Sequence, residues 1–288
     1  MASDVEISVL RRSKGRVVRP GDQLGVLYSG TLIDGNGTTF DANFDFKNFA
    51  VIPGRGLFDF TLGSGQVIQG WDQGLLGRRL GEVVDLRIPA DLAYGSEGAP
   101  PSIPPNADLL FRVELVGAIP AGSSKPVFAT YTDLGLSNKL AAQLDGIKPP
   151  FAASKVGTDA DDELIGGAAR DLLLGLAGGD RLEGGEAPDV LIGGSGANRF
   201  VYTSSADSRP GRGNQDQLLG FQRSGDQIDL SALGETLSFI GKQAFSQTPG
   251  EVRFGSGVLQ LDQDGDGRAD LELLLVGVKR FSATNLVL

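Results

Sequence analysis

The chain contains neither cysteine nor histidine among its 288 residues. The absence of cysteine excludes disulfide bridges, zinc–thiolate sites and thiol catalysis. The absence of histidine excludes Ser-His-Asp triads, zinc-protease motifs and most imidazole acid–base chemistry. Any catalysis must therefore proceed without a strong nucleophile and without a base that titrates near neutral pH.

Long apolar runs and an excess of positive charge are also missing. No run reaches the roughly 18 apolar residues of a membrane span, so none is predicted. The first residues have neither a basic start nor an apolar stretch, so we expect no N-terminal signal peptide. The net charge is −10, and residues 157–288 hold 11 basic and 20 acidic side chains, net −9. This excess of acid disfavours nucleic acid as a partner and favours cations.

The only tryptophan, Trp71, stands in a segment that changes from a strand pattern to a helix pattern. Residues 58–62 alternate apolar with polar, and residues 63–65 are a Gly-Ser-Gly break. Apolar residues at helical spacing then predict a short helix from about Gln66 to Gly77. An indole at such a turn can form the floor of an apolar cavity. The alternative is that Trp71 is simply a core residue.

Residues 58–71 resemble the signature of FKBP-type peptidyl-prolyl cis-trans isomerases, Phe-x-Phe-x-Leu-Gly followed by Val-Ile-x-Gly-Trp. The resemblance extends from about residue 5 to about residue 117 and includes 28–32, 40–41, 93–107 and 109–115. It implies an α+β fold in which an antiparallel sheet wraps over a short helix, and an activity that rotates X–Pro peptide bonds. The implied site residues are Tyr28, Phe40, Asp41, Phe60, Val67, Ile68, Trp71, Tyr94, Ile103 and Phe111.

The same resemblance implies a role for several of these residues. The proline ring of the substrate would lie on Trp71, and the backbone N–H of Ile68 would hold a substrate carbonyl. Tyr94 would donate a hydrogen bond from the rim, and Asp41 would orient Tyr28 or a polar group of the substrate. Two rim positions depart from the family, Ala99 where many members have histidine and Ser102 where they have a larger apolar residue. These departures predict altered substrate preference and drug affinity rather than lost activity.

The rest of residues 1–118 is predicted to form short strands at 5–10, 23–32, 83–88 and 109–116, with a turn at Asp34-Gly35. Segment 42–57 is longer than in compact members of the family and contains Phe44, Phe46 and Phe49. We expect this segment to form a bulged strand whose phenylalanines share the core; the alternative is that they flank the pocket. Residues 119–156 are interpreted as a linker, with a short helix from Ser137 to Leu144 that ends by Pro149-Pro150.

A strict nine-residue period begins at Gly157 and runs for five copies. The eighth position is always leucine or phenylalanine, and the sixth positions are Asp162, Asp171, Asp180, Asp189 and Asn198. This pattern resembles the calcium-binding nonapeptide repeat of RTX proteins, an all-β parallel β-roll. A flexible Gly-Asp linker is the alternative, but a linker would not keep leucine in phase.

The spacing suits Ca²⁺ because each copy supplies a turn and a short strand, and two copies complete one coil. Copies n and n+2 then stack, which pairs Asp162 with Asp180, Asp171 with Asp189, and Asp180 with Asn198. Carboxylates and turn carbonyls that meet between coils are the hard oxygen ligands Ca²⁺ prefers. Departures from glycine at Leu176 and at three alanines predict weaker or empty sites; the alanines are Ala160, Ala169 and Ala187.

Residues 202–288 are similar to the C-terminal domain of serralysin-type secreted proteins, which implies an uncleaved secretion signal at 281–288. Asn285 stands where that family usually has an acidic residue. Residues 262–270 look like half of an EF-hand loop, but Leu273 at the twelfth position excludes a full EF-hand. A calcium turn and a plain Asp-Gly hairpin both remain possible there.

We therefore expect an isomerase at 1–118, a linker at 119–156, calcium-binding repeats at 157–201 and a secretion region at 202–288. The expected cofactor is Ca²⁺, and the expected partners are proline-containing polypeptides and type I secretion machinery. One alternative is a non-catalytic protein, secreted or on the cell surface, whose pocket only binds proline-containing segments. Another is a cytoplasmic isomerase with an acidic tail. A serralysin-like protease is excluded because histidine is absent.

Overall fold

The computed structural model describes residues 4–33, 37–147 and 151–288, which fall into two compact units, 1–137 and 138–288. The predictions for the first three residues, for Asp34-Gly35 and for Pro149-Pro150 lie outside the described residues. The described chain is mostly sheet with few helices, as expected for an FKBP-like unit followed by a β-rich one. None of its helices has the length and apolarity needed to cross a membrane.

The first unit contains nine strands, one α-helix and one short 3₁₀ turn within its described residues. In chain order they are β1 Glu6–Arg11, β2 Gln23–Leu32, β3 Thr39–Ala42, β4 Phe44–Asp45, β5 Ala50–Val51, β6 Phe58–Thr61, α1 Gln69–Gly74, β7 Val83–Ile88, the 3₁₀ turn Ala90–Leu92, β8 Leu109–Ile119 and β9 Val127–Phe128.

The sheet of this unit is antiparallel, with strand order β1-β7-β8-β2-β3 and with β6 and β9 paired to β2 and β8. Burial along β8 alternates because successive side chains of a strand point to opposite faces. The inward face packs against α1, and the approach is close. A Cβ on Gly70 would lie 2.3 Å from a methyl carbon of Ile88. Glycine at position 70 therefore lets the helix that carries Trp71 lie directly on the sheet.

Helix α1 is shorter than predicted at both ends. At its start Ile68 is still extended, with φ −58° and ψ 149°. At its end Gly77 is left-handed, with φ +77°, so it cannot continue a right-handed helix. The predicted range of 66–77 included the two turns that lead into and out of the helix.

Segment 42–57 folds as a short hairpin, in which β4 pairs with β5 alone. Phe44 and Phe46 contact edge to face, with ring centroids 4.8 Å apart, and line a separate cavity of about 530 Å³. The expectation that Phe44, Phe46 and Phe49 share the core is therefore wrong, because none of them belongs to the buried core cluster. The hairpin holds them away from the face that covers α1.

Asn43 anchors this hairpin to the sheet. It is 2% exposed, and its Oδ1 accepts the backbone N–H of Tyr28 at 2.6 Å. Its Nδ2 donates to the carbonyls of Val26 at 3.0 Å and Gly56 at 2.9 Å. Three hydrogen bonds of one buried amide thus join both ends of the segment to β2.

The second unit contains one α-helix, three 3₁₀ turns and thirteen strands within its described residues. They are α2 Asn138–Asp145, β10 Ser154–Val156, β11 Glu163–Gly167, β12 Leu172–Ala177, β13 Arg181–Gly185, β14 Val190–Ser195, β15 Arg199–Val201, the turn Ser205–Asp207, β16 Asp216–Leu219, β17 Gln227–Asp229, the turn Ser231–Leu233, β18 Ser238–Gly241, β19 Glu251–Gly255, β20 Val258–Asp262, β21 Leu271–Val276, the turn Ala283–Asn285 and β22 Leu286–Val287.

Strands from successive repeats alternate between two sheets, so each repeat pairs with the repeat after next. One sheet runs β10-β12-β14-β16-β21-β20-β19-β18 and the other runs β11-β13-β15-β17-β22. The pairing of the repeats is parallel and in register, with Leu164 opposite Leu182 and Leu182 opposite Phe200. These three side chains are fully buried. The repeated apolar position thus builds the interior between the sheets.

The last residues of the sequence are part of this architecture. Strand β22 pairs in parallel with β17, and Leu286 is 8% exposed. The ring of Phe281 stacks on that of Phe254, with centroids 5.0 Å apart. The segment interpreted as a secretion signal is therefore a folded edge strand in this structure.

Two non-glycine residues of the repeats have left-handed backbones. Leu176 has φ +80° and Ala187 has φ +76°, whereas glycine occupies the matching left-handed positions of other copies, for example Gly194 and Gly196. A side chain in this conformation costs about 1–2 kcal/mol. These two positions therefore store backbone strain that a glycine would release.

Ala187→Gly is expected to stabilise the second unit by a few tenths to about 1 kcal/mol, because relief of strain outweighs the extra entropy of unfolded glycine. Ala169→Gly is the matched control, since it lies at the same repeat position but has no positive φ. It should leave stability unchanged or reduce it. Thermal unfolding followed by circular dichroism measures both, and equal shifts in the two variants would contradict the argument.

Candidate active site and candidate metal ligands

A cavity lined mostly by apolar and aromatic side chains lies over α1 and has a volume of about 650 Å³. Nine of the ten predicted site residues line it, and Phe60 does not. Phe60 is 3% exposed and packs against Trp71, with ring centroids 5.6 Å apart. It therefore supports the floor rather than forming the surface. The lining residues are Tyr28, Phe40, Asp41, Phe58, Gly65, Gln66, Val67, Ile68, Trp71, Tyr94, Ala99, Ser102, Ile103 and Phe111.

Trp71 is surrounded by aromatic rings. Its indole meets Tyr28 and Phe111 edge to face, with centroids 5.4 Å and 5.2 Å away, and Phe58 at 5.9 Å. The indole is 3% exposed, and its Nε1 is buried without a hydrogen-bond partner in the described structure. These contacts fix the indole orientation and leave an apolar surface at the bottom of the cavity.

One charged group, Asp41, stands at the mouth. The hydroxyl of Tyr28 donates to Asp41 Oδ2 at 2.5 Å, and Arg55 lies 3.6 Å from Asp41 Oδ1. Burial, followed by the hydrogen bond to Asp41 and its negative charge, raises the pKa of Tyr28. Burial and the charge of Asp41 also raise the pKa of Tyr94. Both phenols are therefore neutral hydrogen-bond donors at physiological pH.

Two donors in the cavity lining are free to meet a ligand. The carbonyl of Ile68 accepts the N–H of Trp71, but its own N–H donates to no group in the described chain. The Tyr94 side chain is 41% exposed, and its hydroxyl has no hydrogen bond within the described structure. A ligand carbonyl at either position would replace water as the partner of that donor.

The loop over the cavity is held by short backbone contacts. Ala99 and Ile103 exchange two backbone hydrogen bonds, at 2.8 Å and 2.9 Å. Gly98 is left-handed, and a Cβ on it would lie 2.5 Å from the carbonyl oxygen of Ile103. This geometry buries Ile103 to 4% exposure while Ala99 and Ser102 line the thin side of the rim.

Sequence reasoning missed three lining residues, Phe58, Gly65 and Gln66. The Phe-x-Phe pattern could have indicated Phe58, because it shares the aromatic face with Phe60. Gln66 had no such signal. Its Oε1 accepts the backbone N–H of Thr61 at 2.8 Å, a contact that depends on the fold of the intervening turn.

In the second unit, sixth-position side chains join successive coils through hydrogen bonds to the backbone. Asp180 Oδ1 accepts the N–H of Asp162 at 2.9 Å, and Asp189 Oδ1 accepts the N–H of Asp171 at 2.7 Å. Asn198 accepts the N–H of Asp180 in the same way at 3.1 Å. The three pairs are those that stacking of alternate copies predicts.

The other oxygens of two of these carboxylates lack a partner. Oδ2 of Asp180 and Oδ2 of Asp189 are buried and make no hydrogen bond in the described structure. Burial raises the pKa of Asp180 to about 7, with the charges of Asp162 and Asp161 adding to the effect. Burial and the charge of Asp216 raise the pKa of Asp189 to about 9. Buried, unpartnered carboxylate oxygens are unfavourable unless a cation or a proton satisfies them.

Glycine at the first repeat position leaves room beside these oxygens. A Cβ on Gly175 would lie 2.1 Å from Asp180 Oδ2 and 2.5 Å from the carbonyl oxygen of Gly193. A Cβ on Gly184 would lie 2.3 Å from Asp189 Oδ2. Each space is thus bordered by a carboxylate oxygen, and at Gly175 also by a carbonyl oxygen of the next coil. Carboxylate and carbonyl oxygens are the kind of donor that suits a calcium ion.

The remaining predicted ligands differ from these two. Asp162 Oδ2 accepts the N–H of Thr158 at 2.6 Å and its hydroxyl at 3.0 Å, so it is already satisfied. Asp171 Oδ1 accepts the N–H of Ala153 at 2.8 Å. Asn198 is uncharged, and its Nδ2 donates to Asp226 Oδ1 at 3.0 Å. The sixth-position groups are therefore not equivalent.

The ladder of carboxylates continues beyond the repeats, which sequence reasoning missed. Asp216 Oδ1 accepts the N–H of Asp189 at 2.9 Å, and Asp226 Oδ1 accepts that of Asn198 at 3.1 Å. Both follow irregular insertions that destroy the nine-residue period. Their second oxygens are occupied, by the hydroxyl of Tyr202 at 3.1 Å for Asp216 and by the N–H of Gln222 at 2.7 Å for Asp226.

The segment that resembles half of an EF-hand is the loop of the hairpin β20–β21. Carboxylate oxygens of Asp262, Asp264 and Asp270 lie within 4.8 Å of one another. Several of these oxygens accept backbone N–H groups of the same loop, such as Gly265 and Gly267 at Asp262. The acidic loop is therefore already stabilised by its own backbone.

Two family models match the chain. Residues 14–116 match the FKBP-type peptidyl-prolyl cis-trans isomerase family, and residues 154–288 match the serralysin C-terminal domain of peptidase family M10. The first match contains the cavity, and the second contains the repeats and the ladder of carboxylates.

Several curated relatives match about two-fifths of the chain. Peptidyl-prolyl cis-trans isomerase FKBP15-2 of Arabidopsis thaliana is 45% identical over 128 residues, covering 43% of this chain and 72% of the relative. Peptidyl-prolyl cis-trans isomerase FPR2 of Saccharomyces cerevisiae is 44% identical over 119 residues, which cover 40% of this chain and 81% of the relative. FK506-binding protein 1 of Dictyostelium discoideum is 42% identical over 113 residues, which cover 39% of this chain and 95% of the relative.

This degree of identity over most of each relative, together with the aromatic cavity, shows that the chain belongs to the FKBP-type peptidyl-prolyl cis-trans isomerases. It is an enzyme of that type, to which a serralysin-like C-terminal domain is joined.

Proposed function

We propose that the cavity over Trp71 catalyses rotation of X–Pro bonds by stabilising the twisted amide. Rotation about a peptide bond has a barrier of about 18–20 kcal/mol, because the planar amide is stabilised by resonance. The twisted amide loses that resonance and with it part of its charge separation. A dry aromatic cavity solvates the planar, more polar form poorly and the twisted form better. Each 1.4 kcal/mol of this difference gives about a tenfold increase in rate.

The residues divide into a floor, two donors and a charged group at the mouth. Trp71 and the rings around it receive the proline ring. The free N–H of Ile68 holds the carbonyl that precedes or follows the rotating bond, and Tyr94 donates from the rim. Asp41 keeps the Tyr28 hydroxyl oriented and faces the cavity mouth beside Arg55. No proton is transferred in this scheme, which suits a chain without histidine or cysteine.

We further propose that the second unit is a calcium-binding β-roll of the RTX type. The observation that carries this proposal is the pair of buried Oδ2 atoms of Asp180 and Asp189 that lack partners. Asp171 joins them as a third ligand candidate, while Asp162 and Asn198 contribute less because their second polar atoms are already used. Bound calcium would supply the positive charge that cancels repulsion between stacked carboxylates.

We also propose that the protein is exported by a type I secretion system and works outside the cell. The match of residues 154–288 to the serralysin C-terminal domain and the acidic repeats support this proposal. Cytoplasmic calcium is scarce, so the roll would remain unfolded until it reached calcium outside. The chain needs no disulfide formation on this route, because it has no cysteine. Its substrates are then proline-containing polypeptides in the medium or on the cell surface.

Trp71→Leu and Asp41→Ala should reduce kcat/KM for isomerisation of an X–Pro peptide by about tenfold or more, through loss of the floor and of the Tyr28 hydrogen bond. Phe44→Ala is the control, because it removes an aromatic side chain that does not line the active cavity. Its activity should equal that of the wild type. A fully folded Trp71→Leu variant with wild-type activity on every X–Pro peptide would refute the proposed role of the floor.

Removal of calcium by a chelator should leave the second unit largely disordered, because the buried carboxylates repel one another. Added calcium should restore β structure at roughly 10⁻⁴–10⁻³ M, the range of extracellular modules. Asp180→Asn combined with Asp189→Asn should raise the required calcium concentration far more than Asp162→Asn. A circular dichroism spectrum that is the same with and without chelator would contradict the proposal.

The secretion proposal is tested in a culture that also carries a type I exporter. A chain without residues 281–288 should accumulate inside the cell and retain isomerase activity, which resides in the first unit. Because residues 281–288 also contribute to the fold, Leu182→Asp is the control: it disrupts the interior but leaves the tail intact, and it should still reach the medium. Equal export of the truncated and complete chains would show that the exporter does not recognise residues 281–288.

A further inference from the structure

A surface cleft of about 380 Å³ in the second unit is not part of the carboxylate ladder. It is lined by Phe221 and Arg223 on one side and by Gly277, Val278, Lys279 and Arg280 on the other. The two sides come from the segments before β17 and after β21. The cleft is thus formed by two stretches of chain that are more than fifty residues apart in the sequence.

Three positive charges meet at this cleft in a strongly acidic part of the chain. Residues 157–288 hold 11 basic and 20 acidic side chains, yet Arg223, Lys279 and Arg280 are exposed at one place. The ion pairs of the described second unit use Arg181 and Arg199 instead. Cations that gather without counter-ions repel one another, and a bound anion removes that repulsion.

The nearest buried carboxylate along the chain, Asp226, makes no ion pair with this group among the described residues. Its Oδ1 accepts from Asn198 and its Oδ2 accepts the N–H of Gln222 at 2.7 Å. Both oxygens thus accept N–H groups inside the fold rather than a guanidinium or ammonium group of the cleft.

The backbone on both sides is fixed, so the cleft is preorganised. The carbonyl of Arg223 accepts from the buried Asn285 Nδ2 at 2.9 Å. On the other side, the N–H of Val278 donates to Leu275 at 3.2 Å after the left-handed turn at Gly277. Phe221 is 8% exposed and packs against Phe281, with ring centroids 5.9 Å apart. The cleft thus combines a buried aromatic base with an exposed cationic rim.

We propose that this cleft binds the phosphate group of a phosphate ester. Guanidinium groups present paired N–H donors that match the oxygens of a phosphate, and a lysine adds a third charge. Phe221 and Val278 would contact the organic part of the ester. The volume lies within the range of small-ligand sites, about 300–1,000 Å³, and the net charge of −10 disfavours a long polyanion such as nucleic acid.

The phosphate can come from a small soluble ester or from a phospholipid headgroup, and two measurements separate these sources. Isothermal titration of the full chain with glycerol 3-phosphate, in buffer with calcium, measures the first. Co-sedimentation with vesicles of phosphatidylglycerol and phosphatidylcholine, against phosphatidylcholine alone, measures the second. The test variant carries Arg223→Gln, Lys279→Gln and Arg280→Gln. The matched control carries Arg209→Gln, Arg212→Gln and Lys242→Gln, three exposed cations of the same unit.

The wild type and the control are expected to bind at least one of the two probes with equal affinity, and the test variant at least about tenfold more weakly. Binding of glycerol 3-phosphate identifies a soluble ester, and binding to the mixed vesicles alone identifies a lipid headgroup. The proposal is overturned if neither probe binds the wild type. It is also overturned if both triple variants lose binding equally, since the effect would then follow total charge rather than this cleft.

Discussion

The second unit depends on one recurring hydrogen bond, from a backbone N–H in one coil to a side-chain oxygen one coil further on. The bond sets the coil spacing, because it ties Asp162 to Asp180 and Asp171 to Asp189. It occupies one carboxylate oxygen and leaves the other directed into a buried space bounded by glycine. The interaction that builds the coil therefore also positions the unpartnered second oxygen of Asp180 and of Asp189. Under the calcium proposal, the stability of the unit and its affinity for the cation would depend on the same carboxylates.

The first unit relies on a different principle, the mutual support of aromatic rings. Trp71 is held at the floor by rings from two strands, with Phe60 behind it, so the shape of the cavity does not depend on a ligand. Rotation of an X–Pro bond requires only a surface that excludes water and a few fixed hydrogen-bond donors. A chain without histidine or cysteine can therefore be an enzyme. In the first unit the proposed chemistry works through packing and needs no group that titrates near neutral pH.

Much of this arrangement could be predicted from the sequence, and the exceptions have physical reasons. The FKBP-like cavity followed from a motif whose members are neighbours along the chain, and the stacking of Asp162 on Asp180 followed from a constant number of residues per coil. Asp216 and Asp226 escaped prediction because insertions change that number while the coils continue. Helix α1 was overestimated because apolar spacing does not reveal where the backbone turns left-handed. Phe44 and Phe46 were misplaced because a hairpin with an even apolar pattern gives no sign of which face it will cover.

The three hydrogen bonds of Asn43 have a consequence for how this fold can vary. Its amide joins Tyr28 and Val26 in β2 to Gly56 at the far end of the hairpin, so the chain is clamped on both sides of residues 44–55. The hydrogen bonds that hold the Tyr28 backbone thus lie outside the hairpin strands, whereas Arg55 at the end of the segment reaches Asp41. Residues 44–51 are therefore the part of the segment where a change of length leaves both the Asn43 bonds and the Arg55 contact in place.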